Sequence, residues 1–450
     1  MAFLTAREAD LVIYHASELA TPVGPAPLTG HRLGQLKVIR DGAVAIKDGL
    51  IVAVGRTREI RRFFEAQDEL DVSGMTVVPG FVDPHTHLVF GPEGFRPEEL
   101  EMKIRGLTYM EILARGGGIM RTVRATRATT EEGLARECLR RLDLMLLHGT
   151  TTVEAKSGYG LTVEDELKCL RALRKADEKH PVDVVPTFLG AHAVPPEYEG
   201  RPDDYVELVI SEMLPKVAEG KLASFCDVFC EKGVFSREHA KAILTTGLKC
   251  GLKPKLHADE FSDTGGASLA AELKAASADH LLCSSEGGLR AMAKAGVAGV
   301  LLPASPLTTM LGRFADARRM IELGVPAALG TDFNPNCPVE NLQAVMALAC
   351  YCMKMTQAEA LSAATLNAAY AIGLSDRVGS IEVGKKADLV VLNVPGHEHL
   401  GYRLGSNLVV HVVKSGQLVV EDGKLSYRGL GSSPGGSCQT VCVPGRGRPW

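Results

Sequence analysis

The sequence predicts an α/β protein: a (β/α)8 TIM-type barrel carrying a small β-sandwich domain built from both chain ends. Three observations point there. In the middle of the chain, eight short apolar runs alternate with amphipathic helical stretches, the pattern of repeated β-α units around a parallel sheet. Both ends show instead short strands punctuated by tight turns. The length of 450 residues, 46% of them hydrophobic, suits one large barrel with a smaller attached unit. These readings divide the chain into 1–75, the first part of the β domain; 76–375, the barrel; 376–430, the second part of the β domain; and 431–450, a tail rich in Gly, Ser and Pro that is expected to fray.

Near the N-terminus, LVIYHA (11–16) and LKVIRDGAVAIKDGLIVAVG (36–55) read as strands, with Asp41-Gly42 and Asp48-Gly49 as turns. At the other end, GSIEVGKKADLVVLNV (379–394) and LVVHVVKSGQLVVEDGKL (408–425) repeat that texture, turning at Gly384-Lys385 and Asp422-Gly423. Hairpins this small are not stable alone, so the two ends are expected to pair. The barrel strands, in order, are TVVPGFVDPHTH (76–87), GTTTVEAKS (149–157), VDVVPTFLGAH (182–192), SFCDVFCEKG (224–233), LKPKLHADE (252–260), ASADHLLC (276–283), GVAGVLLP (296–303) and VPAALGTDF (325–333). Between them, segments such as TEEGLARECLRRLDLMLLHG (130–149) and SREHAKAILTTGLKCG (236–251) read as amphipathic helices.

Composition narrows the function classes. Lysine plus arginine total 50 and aspartate plus glutamate 54, a formal charge of -4 spread over a large surface. That gives no electrostatic reason to expect nucleic acid or an anionic membrane as partner, and leaves a small-molecule substrate. The 11 cysteines are scattered, with no CxxC pairs at zinc-ribbon spacing, which fits a reducing cytoplasm. The N-terminus lacks a basic segment followed by a long apolar core, and no run reaches the roughly 18 apolar residues of a membrane span.

The last polar residues of the proposed strands carry the chemistry. His85 and His87 end the first strand, His192 the third, His257 the fifth, His280 the sixth and Asp332 the eighth. In a strand, residues two apart point to one side, so His85 and His87 can aim imidazole nitrogens at one point. An HxH pair alone is more often a surface or packing feature than a metal site. Five of the 13 histidines at one end of a barrel are a different matter, because functional side chains of this architecture gather at the carboxyl ends of the strands. Imidazoles with one carboxylate suit zinc or iron, and an open position beside such an ion activates water and polarises a carbonyl. Asp332 could take a proton from that water. Glu260, three residues beyond His257, could move protons on a substrate nitrogen, although in isolation it reads as a solvated carboxylate near a helix start. Lys156 lies on the second strand and is not read as a carbamylated bridge between two metals, so a mononuclear site is expected. Glu231 reads as structural, and Cys226 and Cys230 as small buried hydrophobes.

The motifs VDPHTH, LHADE, ADH and GTD, in that order, with GSIEVGKKADLVV closing a split β domain, resemble the amidohydrolase superfamily. Within it the chain is similar to the imidazolonepropionase family through GGGI (116–119), KSGYGL (156–161), FLGAHAVPPEY (188–198), DVFCEKGVFS (227–236) and HADEFSDTGGASLAAEL (257–273). The resemblance implies hydrolytic opening of the ring of 4-imidazolone-5-propanoate, giving N-formimidoyl-L-glutamate. It implies one divalent metal ion, Zn2+ or Fe2+/Fe3+, held by His85, His87, His257 and Asp332, and a homodimer. It also implies that His280 positions the water, Glu260 handles the ring proton, and Tyr159 and His192 hold the substrate. The propanoate needs a cation, ideally the planar fork of an arginine. Arg96 is the choice, although its spacer from the HTH motif is longer than in the family, with Arg105 as fallback.

A second departure follows Asp332, where the family often reads DxNPG and then Ser or Thr, against Asp332-Phe333-Asn334-Pro335-Asn336-Cys337 here. Asn334 could still bond a ligand carboxylate or amide. Asn336 can adopt a left-handed backbone if the loop needs one, and Cys337 loses the hydroxyl. These changes leave open a related amidohydrolase acting on another cyclic amide, or a deaminase of a nitrogen heterocycle. A non-catalytic assembly protein on the same barrel is the reading from another class; loss of a metal ligand would mark it, and none is lost.

Overall fold

A computed structural model describes residues 7–427 apart from 108–110 and 113–116. The tail from 431, and Gly116 of the GGGI motif, lie outside the described residues. Eight parallel strands form one sheet in strict chain order: Phe81–Thr86, Thr150–Lys156, Asp183–Ala191, Phe225–Cys230, Lys253–Ala258, Ser277–His280, Ala298–Leu301 and Ala327–Leu329. All eight fall within the runs read from the sequence. The barrel closes just past the eighth strand, where Asp332 N–H donates to His85 O (3.1 Å) and His87 N–H to Phe333 O (2.8 Å). The bonds that close the barrel therefore also set two candidate ligands beside a third.

Helices cover the outside. Glu131–Leu147 begins where the Thr130 hydroxyl accepts the N–H of Gly133, and Arg237–Lys249 where Ser236 accepts that of His239. Their buried faces, Leu134, Cys138, Leu142 and Met145 on the first and Ile243 and Leu244 on the second, pack against the outward side chains of the strands, such as Val153, Ala155, Cys226, Val228 and Leu256. Cys226 and Cys230 are buried apolar packing, as read. Among the described residues no helix is long and apolar enough to cross a membrane.

The stretch 76–87 is not one strand. Thr76–Pro79 pairs with Leu389–Leu392 and Glu18–Pro22 in the small domain, and the barrel strand starts at Phe81. Gly80 is the joint, since a Cβ there would collide with the Thr151 side chain. Residues 76–79 thus belong to the small domain, although an apolar run that continues without a polar break hides the change of sheet.

The small domain has two sheets, as expected of a β-sandwich. A four-stranded sheet comes entirely from the N-terminal part, with Arg7–Ala16 antiparallel to Gly42–Lys47 and parallel to Phe64–Asp71. A seven-stranded sheet interleaves both ends, with Thr76–Pro79 between Glu18–Pro22 and Leu389–Leu392. Their shared core includes Ile13, Val44, Ile46, Val77, Leu389 and Val413. Neither end closes this core alone. The domain docks on the amino-terminal side of the barrel, where Asp183, at the start of the third strand, meets the ammonium groups of Lys386 and Lys414, each at 2.8 Å.

Candidate metal centre and active site

The barrel lumen is polar. Asp83, Glu154, Lys156, Asp227, Lys255 and Asp279 are all fully buried. Lys156 on the second strand and Asp279 on the sixth approach to 3.8 Å, and strands that far apart in the sheet meet only across the lumen. Above this layer, at the carboxyl ends, the imidazoles of His85, His87, His257 and His280 gather with Asp332. His87 Nε2 lies 3.3 Å from His257 Nε2, and Asp332 Oδ1 lies 3.5 Å from His85 Nε2 and 3.6 Å from His87 Nε2.

Second partners fix which nitrogen faces the centre. His85 Nδ1 is 2.6 Å from Asp279 Oδ2, and His257 Nδ1 is 3.1 Å from Asp227 Oδ1, so both Nε2 atoms carry lone pairs toward the shared point. Burial, and then neighbouring positive groups, hold His85, His87 and His280 well below the usual histidine range, so they are neutral near pH 7. Burial, only partly offset by His257, pushes Asp332 up to about 6. His85 Nε2 and Asp332 Oδ1 are buried with no hydrogen-bond partner among the protein groups, which in a packed interior marks a position for a cation. Two overlapping triads, His85 with His87 and His257, and His85 with His280 and Asp332, each bring ligand atoms close enough to hold a metal ion, and imidazole with carboxylate is a donor set that fits a divalent one. Asp332 has φ +52° and His280 φ +75°, a backbone region rarely used by residues with side chains and concentrated at functional sites.

Around this centre, Glu260 is buried with Oε1 3.7 Å from His280 Nδ1. Burial, then the facing carboxylates of Asp332 and Glu231, push its carboxyl well above the usual range, so it can hold a proton. His192 stacks on His87 at 4.9 Å between ring centres, its Nδ1 donating to Gly158 O, and burial with nearby His257 pushes it down to about 3. That leaves Nε2 of a neutral ring as an acceptor. Tyr159 is buried 5.2 Å from His192 and 5.8 Å from His87, ring to ring. It sits on a loop whose N–H groups at Gly158, Gly160 and Leu161 all donate to the Glu166 carboxylate.

Arg96 is 9% exposed, with Nη1 3.5 Å from Glu99 and Nε without a hydrogen-bond partner. Its neighbour Phe95 packs on Phe90 and on Phe333, the residue after Asp332. Arg105, the fallback, is an exposed ion pair with Glu101 and does not join the site, because it lies on the outer face of the helix Pro97–Ile104. Lys103 on the same helix faces inward instead, and its Nζ donates to Asn336 Oδ1 (2.5 Å). Sequence reasoning passed over Lys103; its spacing of seven from Arg96, two helical turns, was the available signal.

The loop after Asp332 is occupied with itself. Asn334 Nδ2 donates to Asp332 O, and Asn334 Oδ1 accepts the N–H groups of Asn336 and Cys337. Cys337 is buried against Ala304 and Leu348, its thiol 3.6 Å from Thr331 O, and neither Asn336 nor Cys337 has positive φ, so no glycine is needed there. Asn334 and Cys337 thus build the wall of the site rather than pointing free groups into it. Glu231 likewise serves structure, accepting the N–H groups of Phe261 and Ser262.

The Amidohydrolase family profile matches residues 255–419. Imidazolonepropionase from Geobacillus kaustophilus (strain HTA426) is 52% identical over 92% of this chain and 99% of its own, and that from Symbiobacterium thermophilum is 51% identical over 94% and 100%. Among solved structures, an adenosine deaminase from Xanthomonas campestris with bound zinc superposes with a TM-score of 0.70 at 21% identity, covering 93% of this chain and 95% of that one. Guanine deaminase from E. coli superposes at 0.71 with 18% identity, covering 91% and 98%; at these identities the likeness speaks for the fold alone. With identity near one half along almost the whole length, and with the histidines and Asp332 gathered at one mouth of the barrel, the chain belongs to the imidazolonepropionases, cyclic-amide hydrolases of the amidohydrolase family.

Proposed function

We propose that this protein opens the ring of 4-imidazolone-5-propanoate with water, giving N-formimidoyl-L-glutamate, at a single metal ion held by His85, His87, His257 and Asp332. The observation that supports the reading is that His85 Nε2 and His87 Nε2 lie 3.5 and 3.6 Å from Asp332 Oδ1 and His257 Nε2 lies 3.3 Å from His87 Nε2, all buried, with Glu260 and His280 beside them. Zinc and iron both suit these donors. When bound, the ion lowers the pKa of water and polarises the ring carbonyl.

The chain's own residues do the remaining work. Asp332 accepts a proton from the attacking water. His280, neutral and unpartnered at Nδ1, orients that water by hydrogen bonding. As oxygen adds to the ring carbonyl carbon and its bond to nitrogen breaks, protonated Glu260 delivers its proton to the departing nitrogen. Tyr159 and His192 hold the ring against the plane of His87. The Arg96 guanidinium binds the propanoate carboxylate, with Asn334, Asn336 and Cys337 shaping that end of the cavity. The described cysteines are all free thiols, which supports a reducing, cytoplasmic setting.

The test is turnover of imidazolone propanoate, with metal content measured on the same sample, beside parallel incubations with guanine and cytosine. Ring opening in proportion to zinc or iron content is expected. Ammonia release from a nucleobase with no opening of the propanoate ring would replace this reading with a deaminase.

A further inference from the structure

We propose that Lys156 is a positioning residue of the metal centre, one ammonium that fixes His257 through Asp227 and the backbone between His85 and His87 through Glu154. This rests on the metal-centre reading above. Lys156 is fully buried, and its Nζ lies 2.8 Å from Glu154 Oε1, 2.8 Å from Asp227 Oδ2 and 3.8 Å from Asp279 Oδ2. Each of these carboxylates has a second contact at the centre. Asp227 meets His257 Nδ1 at 3.1 Å and Asp279 meets His85 Nδ1 at 2.6 Å. Glu154 Oε2 accepts the N–H of Thr86, the residue between His85 and His87, at 3.3 Å. The three carboxylates stand on three different strands, the second, fourth and sixth, so no local backbone geometry aligns them. A compact ammonium holds Glu154 and Asp227 at once, each at 2.8 Å, with Asp279 further off at 3.8 Å, and so ties ligand segments of the first and fifth strands together.

The Lys156 charge is balanced by fixed carboxylates, and of these Asp227 in turn orients the His257 imidazole with Nε2 inward. Without the ammonium, three buried anions would repel one another and move the rings they hold. Lys255 provides an internal comparison. It is equally buried, but its Nζ reaches Ser277 (2.6 Å) and Asp279 (3.7 Å, against 3.8 Å from Lys156) and is paired with neither Glu154 nor Asp227.

The experiment uses the full-length protein and the variants Lys156→Met, Lys156→Gln and Lys255→Met. Zinc affinity is read by competition with a chromophoric chelator, ligand geometry by the visible absorption bands of the cobalt-substituted protein, and folding by the melting temperature of the metal-free form. Lys156→Met is expected to weaken zinc binding about 10- to 100-fold and to change the cobalt bands. Lys255→Met, which leaves the Glu154 and Asp227 contacts in place, is expected to weaken zinc binding and shift the cobalt bands less than Lys156→Met. If the Lys156→Met protein does not fold, Lys156→Gln, which keeps donors without charge, is read in its place. Zinc binding by the Lys156 variants that is unchanged, or reduced no more than in Lys255→Met, overturns the proposal, as does failure of both to fold. Wild-type protein that binds neither zinc nor cobalt would defeat the metal-centre reading itself.

Discussion

Glu260 shows how a residue's surroundings decide its role. As a letter three places after His257 it is an ordinary surface carboxylate; in the fold burial, and then the facing carboxylates of Asp332 and Glu231, push its carboxyl well above the usual range. Glu260→Gln keeps the shape and removes the transferable proton, so kcat should fall about 10²- to 10⁴-fold while zinc content, read by atomic emission on the same sample, stays at the wild-type level. Since the acid form is the working one, activity of the wild type should fall as pH rises through the raised value. Arg96→Met should act differently: KM for imidazolone propanoate rises tenfold or more, with kcat changed much less, because the guanidinium binds an arm remote from the reacting carbon. An unchanged KM would remove Arg96 from the substrate site. At this scale the gathering of His85, His87, His257, His280, Glu260 and Asp332 at one mouth of the barrel was legible, because a histidine or carboxylate at the end of an apolar strand run breaks the pattern. Asp227, Asp279 and Glu154 broke it too, in DVFC, SADH and TVEA, and were passed over as functional groups. Their role depends on partners from other strands.

Single segments carry the substrate groups. The loop from Gly158 to Leu161 has no regular structure, and the buried Glu166 carboxylate at the start of the following helix holds it by accepting three backbone N–H groups. Glu166→Ala leaves those donors unsatisfied in the interior, which should cost about 3 kcal/mol or more in stability and raise KM through loss of Tyr159 placement. Urea unfolding and steady-state kinetics on the same preparation check both. The segment bearing Arg96 is held in a similar way by buried Arg141, whose Nη1 donates to Leu88 O and Phe90 O while its guanidinium lies 3.5 Å from the Phe90 ring centre. Apolar alternation announced the strands and amphipathic spacing the helices. It could not announce the break at Gly80, since both pieces of that run are buried and apolar.

For the whole molecule, the coupling between barrel and β domain is open to titration. Burial raises the Asp183 carboxyl, but the ammoniums of Lys414 and Lys386 outweigh it and hold it below its ordinary range. A carboxyl whose folded value is depressed contributes stability above its unfolded value, and loses it as pH falls through the folded one. Asp183→Asn should therefore cost about 1–2 kcal/mol near neutral pH, discounted because the pair is partly exposed, with the difference from wild type shrinking below about pH 4. Urea midpoints between pH 3 and 7 measure this. A constant difference across that range would mean that the side chain's packing, rather than its charge, docks the two domains.

Strand order, the barrel and the histidines and carboxylates that gather at its mouth lay in the linear pattern, because a parallel barrel repeats one unit and places polar residues at one end of each apolar run. The stabilising network beneath the ligands did not. Lys156 touches Asp227 and Asp279, residues 71 and 123 positions further on, and a contact across the lumen leaves no trace in local periodicity. The same holds for Lys103 beside Asn336 and for the four strands that the N-terminal part keeps to itself. Local pattern records which face of an element is buried, whereas the identity of the groups that meet there is set only when the barrel closes.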